Sequence, residues 1–322
     1  MSCVRHVVTA GVVLCLLVLA LACAMTRAAS AQAWGFAPAG VGAVTIQSQW
    51  ISNTGHRFTN GTLNPFGPSL NRAIYIETEY AFTDRFSIDV GVPYVFSKWT
   101  SATPPPPIFT FHPWDQCHCW QSGWQDFGFT ARYNIFGKAF GLTPSVTFGM
   151  PSHDYEFRGE AVLGRNLKET QLAVDVGQRL DAISGRLSVQ GRYSYTFVER
   201  VLDIPNNRSN FSIEPGFQLT RNLFVREFQT WQRTHGGLRL GSPNSELLPP
   251  GDLNTPVLRD QADRFRRVNY FHLGAGASYR LPRVDVFGSY VAYVSGSDTH
   301  AGRAFTIGVS YPFELRRGKK GP

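Results

Sequence analysis

Thr306-Ile307-Gly308-Val309-Ser310-Tyr311-Pro312-Phe313 decides the fold: every second residue is large and apolar, and those between are small or polar. A period of two places Phe305, Ile307, Val309, Tyr311 and Phe313 on one strand face and Thr306, Gly308, Ser310 and Pro312 on the other. The alternation recurs upstream. Phe127, Phe129, Ala131, Tyr133 and Ile135 oppose Asp126, Gly128, Thr130, Arg132 and Asn134, and Phe86, Ile88, Val90, Val92, Tyr94 and Phe96 oppose Ser87, Asp89, Gly91, Pro93 and Val95. Phe211, Ile213, Pro215, Phe217 and Leu219 oppose Ser212, Glu214, Gly216, Gln218 and Thr220. Reading for this period predicts about twelve strands, near residues 43–50, 73–82, 86–96, 126–136, 140–150, 170–180, 187–197, 211–219, 223–231, 268–279, 284–294 and 304–313. Most approach the ~9–11 residues that a tilted membrane-crossing strand needs. Alternation is weakest in 223–231 and 284–294.

The connectors separate an all-β membrane protein from a soluble sandwich. Thr83-Asp84-Arg85, Gly137-Lys138, Asp181-Ala182-Ile183-Ser184, Thr220-Arg221-Asn222 and Leu281-Pro282-Arg283 are tight turns. They alternate with long segments at 51–72, 97–125, 151–169, 198–210, 232–267 and 295–303. Short turns opposite long loops, with an even strand count, fit a closed antiparallel transmembrane β-barrel with periplasmic turns and extracellular loops. Aromatic residues fall near both strand ends, Trp50, Tyr94, Phe96, Tyr195 and Phe197 at one rim and Phe82, Phe136, Phe140, Tyr279, Tyr311 and Phe313 at the other, as interfacial girdles do.

The N-terminus agrees. Arg5 and His6 precede an apolar run from Val7 to Ala24, followed by Ala29-Ser30-Ala31 and Ala31-Gln32-Ala33, which reads as a secretory signal cleaved after Ala31 or Ala33. An uncleaved membrane helix and a lipidated Cys23 are the competing readings. The expected organisation is a signal over 1–31, a periplasmic segment over 32–42, the barrel over 43–313 and a basic tail over 314–322, placing the protein in a bacterial outer membrane. A mean hydropathy of -0.15 excludes a bundle of apolar helices. A barrel, with every backbone group paired between strands, tolerates that polarity. Only Cys117 and Cys119 of the five cysteines lie beyond the signal, so no disulfide framework holds the fold.

The last strand also resembles the assembly signal of outer-membrane barrels, with Gly308, Tyr311 and Phe313 at its key positions. Arg85-Phe86-Ser87-Ile88-Asp89-Val90-Gly91-Val92-Pro93-Tyr94, a long loop, and then Ser122-Gly123-Trp124-Gln125-Asp126-Phe127-Gly128-Phe129 resemble an outer-membrane transporter family associated with the meta-pathway of phenol degradation. Its members carry a Gly-x-Pro-Tyr strand end and a Gly-x-Gly-Asp strand start; Gln125 here stands where glycine is common. The resemblance implies a barrel through which small, often hydrophobic or aromatic, solutes cross the outer membrane.

Alternation puts Glu77, Glu79, Asp89, Asp126, Arg132, Asp175, Arg192 and Glu214 on lumen-facing positions, with Arg179 and Arg226 as further candidates. Mixed charges in a barrel of this size line a narrow water path or pair across it and occlude it. A passive channel is the leading expectation, a structural or adhesive surface barrel the alternative, and an outer-membrane hydrolase a second alternative. No Gly-x-Ser-x-Gly or His-Glu-x-x-His motif occurs, so no catalytic residue and no cofactor are expected. The loop with Pro104–Pro107 also holds His112, Cys117, His118 and Cys119, soft ligands that suit copper or zinc at an unusual spacing or thiols that are oxidised or simply packed. Expected partners are outer-membrane lipid, the outer-membrane assembly machinery and a small-molecule solute. The net charge of +8, about +6 without Arg5 and Arg27, suits an anionic lipid surface, and export without a basic helix argues against nucleic acid.

Overall fold

The computed structural model describes residues 37–64, 68–100, 115, 117–136, 140–239 and 261–315. The expected signal segment, most of the proline loop with His112, and the tail from residue 316 lie outside them. Twelve antiparallel strands close into a barrel: β1 (Val41–Arg57), β2 (Ser69–Ala81), β3 (Phe86–Trp99), β4 (Gln121–Trp124 continued by Asp126–Tyr133), β5 (Phe140–Pro151), β6 (Glu169–Arg179), β7 (Leu187–Val198), β8 (Asn206–Gln218), β9 (Leu223–Gly236), β10 (Asn269–Arg280), β11 (Asp285–Ser297) and β12 (Thr299–Glu314). Each strand pairs with its sequence neighbours, and β1 pairs with β12 from Val41↔Glu314 to Arg57↔Thr299, so no edge is left open.

Several strands run further at the loop end than the sequence suggests. β1 continues through Ser52–Arg57, β8 begins at Asn206, β9 reaches Gly236 and β12 begins at Thr299. These extensions are polar, because beyond the bilayer both faces meet water or loop and no apolar period marks them. The long connector expected over 295–303 is therefore corrected: Asp298 alone joins β11 to β12, with a φ of 55°. The expected loop 97–125 likewise contains a strand segment, Gln121–Trp124. A bulge at Gln125 shifts the register from Tyr94↔Trp124 to Gly91↔Gly128, so Trp124 and Phe127 share the outer face and the period of two is hidden.

The turn end is built by local chemistry. Thr83 and Thr220 play the same part in two turns, their Oγ1 atoms accepting from the amides of Phe86 (2.9 Å) and Leu223 (3.0 Å). Both termini of the barrel lie there, with the Leu315 amide donating to Gly40 O at 2.9 Å.

The outer surface is apolar at mid-height, with Ile46, Ile76, Val90, Phe129, Leu172, Ile307 and Val309 all exposed. A soluble protein does not leave such a belt in water. Aromatic rows bound it. At the loop end Tyr193, Phe211, Trp231 and Phe271 are successive register partners on β7 to β10, and Trp50 stacks on Phe305 at 5.7 Å. At the turn end Tyr80 meets Phe82 (4.8 Å) and Phe313 (6.4 Å). No described helix is long and apolar enough to cross a membrane.

β9 explains its own weak alternation. Phe224, Arg226, Phe228 and Thr230 line the interior, so Glu227 and Gln229, joined by a 3.0 Å hydrogen bond, take the outer face.

Candidate functional site

The interior divides into a loop cap at one end and a polar chamber below it. The cap is formed by residues 152–168, 237–239 and 261–268, which turn inward. Tyr155 and Leu163 pack on Ala73, Tyr75 and Val95, which face inward from β2 and β3. Leu167 and Phe265 pack with Val198, Val201 and Leu238 on the opposite side. Polar bonds fix the backbone between these anchors. Asp115 accepts from the amides of Glu160 (3.0 Å) and Ala161 (2.9 Å), Asp263 from the Gly159 amide (2.9 Å), and Arg264 donates to Asn166 O (2.7 Å). Arg266 bridges Asp263 at 2.8 Å and Glu160 at 3.8 Å. The charge of Arg266 is felt by His56 and His300 on β1 and β12, so the cap reaches across the mouth. Burial raises the Glu160 carboxyl to about 7 against the opposing pull of Arg266, and burial with the nearby Arg208 lowers Arg165 to about 10.

The chamber is a cavity of about 340 Å³. Glu77, Glu79, Asp89, Arg132 and Glu214 meet in its lining, joined by Arg226, Asp285, Phe224 and Phe287. Arg132 pairs with Glu79 at 3.4 Å, and Ser87 also donates to Glu79 at 3.1 Å. Arg226 lies 3.6 Å from Glu214, which accepts from Gln190 at 2.9 Å. Arg192 holds Asp175 at 2.7 Å and Gln171 at 3.1 Å beside a second cavity of about 390 Å³. Asp126 stands apart from the chamber: it accepts the Tyr155 hydroxyl and ties β4 to the cap. Arg179 turns to Asp181 at the turn end.

Sequence reasoning passed over the aromatic sector. Phe224, Phe228 and Phe287 point inward from β9 and β11, and each covers a glycine on a neighbouring strand. A Cβ on Gly216 would lie 2.2 Å from Phe224, one on Gly308 2.3 Å from Phe287, and one on Gly276 3.0 Å from Phe228. Cross-strand Phe–Gly pairing was the available signal, a ring shielding backbone that a glycine leaves bare.

Gly308 therefore serves the interior, whereas Tyr311 is exposed on the outer face and Phe313 lies over Gly42, whose Cβ would meet it at 2.5 Å. Cys117 and Cys119 form a disulfide, which removes both thiolates as metal ligands. The His118 ring stacks on Trp99 at 5.4 Å, and no group of three or more metal-ligating side chains occurs among the described residues. Two Ser–His contacts occur at the loop end, Ser152–His153 (2.8 Å) and Ser209–His235 (2.7 Å), with no carboxylate orienting either imidazole among the described residues. His272 stacks on Tyr270 at 4.0 Å in the interior.

No protein-family model matches the chain, and no curated protein matches it. Solved structures do. The COG4313 outer membrane channel from Pseudomonas putida F1 superposes with a TM-score of 0.67 over 89% of this chain and 100% of that one, at 10% identity. The β domain of the Bordetella autotransporter BrkA gives a TM-score of 0.50 over 85% of this chain and 100% of that one, at 11% identity. At such identities the likeness establishes the fold, a barrel of the bacterial outer-membrane type.

Proposed function

We propose that the chain is a narrow outer-membrane channel for passive movement of small solutes, with its long loops and cap outside and its turns in the periplasm. The observation that carries this reading is the chamber: charged and polar side chains fill the interior of a closed barrel whose outer belt is apolar. A barrel serving only as a wall gains more from a packed apolar interior than from carboxylates held out of bulk water. Phe224, Phe228 and Phe287 add apolar surface for solutes with an aromatic or aliphatic body. The signal over 1–31 directs export, and Gly308, Tyr311 and Phe313 form the signal read by the outer-membrane assembly machinery. The packed cap favours a second reading, a non-conducting surface barrel. Folded protein, identified by its heat-dependent gel mobility, is reconstituted in planar bilayers and liposomes. Discrete conductance and solute flux are expected; their absence from folded protein leaves the surface barrel.

A further inference from the structure

We propose that the passage selects cations, although the chain as a whole carries a net charge of +8. The inference rests on the channel reading and adds the class of solute.

Five carboxylates line the chamber, Glu77, Glu79, Asp89, Glu214 and Asp285, against two guanidiniums, Arg132 and Arg226. Arg132 makes its contact pair with Glu79 while its charge also reaches Glu77 and Asp89, Arg226 lies beside Glu214, and Asp285 has Arg280 at 3.3 Å at the turn end. Glu77 and Asp89 have no ion pair or hydrogen bond to any described residue and face the cavity. Their placement is built into the sheet. Gly91, the register partner of Glu77, leaves room for that side chain, whose Cγ sits 3.0 Å from where a Cβ would be. Asp89 lies directly opposite Glu79 in the β2–β3 ladder, an arrangement of like charges that costs stability. One guanidinium, Arg132, is shared among these three acids, so the cavity faces more carboxylates than cations and keeps an excess of negative charge. β9 and β11 present Phe224 and Phe287 to the same cavity, a low-dielectric surface that concentrates the field of the acids.

The cap does not reverse this sign. Its Arg264 and Arg266 are taken up by carbonyls and by Asp263 and Glu160, Arg165 has the opposing charges of Glu169 and Asp263 near it, Arg208 pairs with Glu169, and Arg267 donates to Thr234 O. Charge discrimination is therefore set in the chamber. The organic solutes that fit are small amines or guanidines on an aromatic or aliphatic body, and carboxylates of the same skeleton are repelled.

The test is the zero-current potential of reconstituted wild-type protein in a potassium chloride gradient, with liposome uptake of benzylamine compared with benzoate. Potassium is expected to exceed chloride in permeability by roughly tenfold, the low end of electrostatic focusing in a charged cleft. The preference should shrink at ~1 M salt, where the Debye length falls to ~3 Å. Glu77→Gln with Asp89→Asn removes like-charge repulsion, so the variant should fold and its permeability ratio should fall near one. Folded wild type without conductance defeats the channel reading itself. A conducting wild type with no cation preference overturns this proposal alone, as does a ratio unchanged in the double variant. If the double variant fails to fold, the wild-type ratio and its salt dependence decide.

Discussion

Replacing Phe265 with Ala should open the cap and leave the barrel standing. Phe265 is 1% exposed and packs against Leu167, Val198, Val201 and Leu238, while its carbonyl accepts from the Leu238 amide at 2.7 Å. Truncating a fully buried phenylalanine costs ~3–5 kcal/mol, the lost transfer energy plus the cavity left behind. Of the residues it packs against, only Val198 belongs to a barrel strand, so the loss falls on the docking of the cap against the wall. At ~1.4 kcal/mol per tenfold, the ratio of undocked to docked cap rises between roughly 10² and 10⁴. Two assays read that ratio. Single-channel recording should show longer and more frequent open states, and limited proteolysis should cut within 261–268 at a rate far above wild type. The heat-dependent gel shift should not change, because no ladder hydrogen bond is touched. Phe265→Leu, which keeps most of the volume, should stay near wild type in both. Equal conductance and equal protease resistance in Phe265→Ala and wild type would refute the inward-folded cap as the element that restricts the passage.

Replacing Tyr311 and Phe313 together with Ala should lower the amount of folded barrel recovered from outer membranes, and normal levels would remove any special role for the end of β12. Gly308→Val should push aside the Phe287 ring and Gln47, which lie 2.3 Å and 2.8 Å from where the new Cβ would be, costing ~1–3 kcal/mol; a lower temperature for the gel shift and a smaller conductance are expected, and an unchanged barrel would contradict the contact. Glu160 gives a pH dependence whose sign follows from its raised value. A docked cap that holds the proton more tightly than an undocked one is favoured most below about 4.5, and loses that advantage as pH rises through about 7. Openings should become more frequent across that window, and a Glu160→Gln channel that kept the same response would assign it to another group.

The architecture was legible because a bilayer imposes a period of two: all twelve strands expected from alternation are present, with ends that differ where the membrane stops acting. The polar extensions such as Ser52–Arg57 carry no such imprint, and the bulge at Gln125 cancels it over a few residues. Lumen-facing acids on β2 and β3 could be placed from their apolar neighbours, and Glu77, Glu79 and Asp89 do line one cavity. β9 could not, because Glu227 and Gln229 on the outer face and Phe224 and Phe228 inside reverse the usual order. The cap was invisible for a different reason. Leu163, Leu167 and Phe265 lie in connectors without periodicity, and only the closed wall supplies the surfaces they cover.

The seam between β1 and β12 has a kinetic consequence. Every other pairing joins neighbouring strands and can zip locally, whereas Val41 and Glu314 stand at opposite ends of the barrel sequence. Closing so long a loop is the slowest kind of contact to form, and it cannot begin until the last strand exists. Until then β1 and β12 each expose a full row of unpaired backbone groups, a template for aggregation. A chain cut anywhere before residue 299 would be left permanently in that state, so completion of the seam separates finished molecules from those that quality-control proteases can recognise.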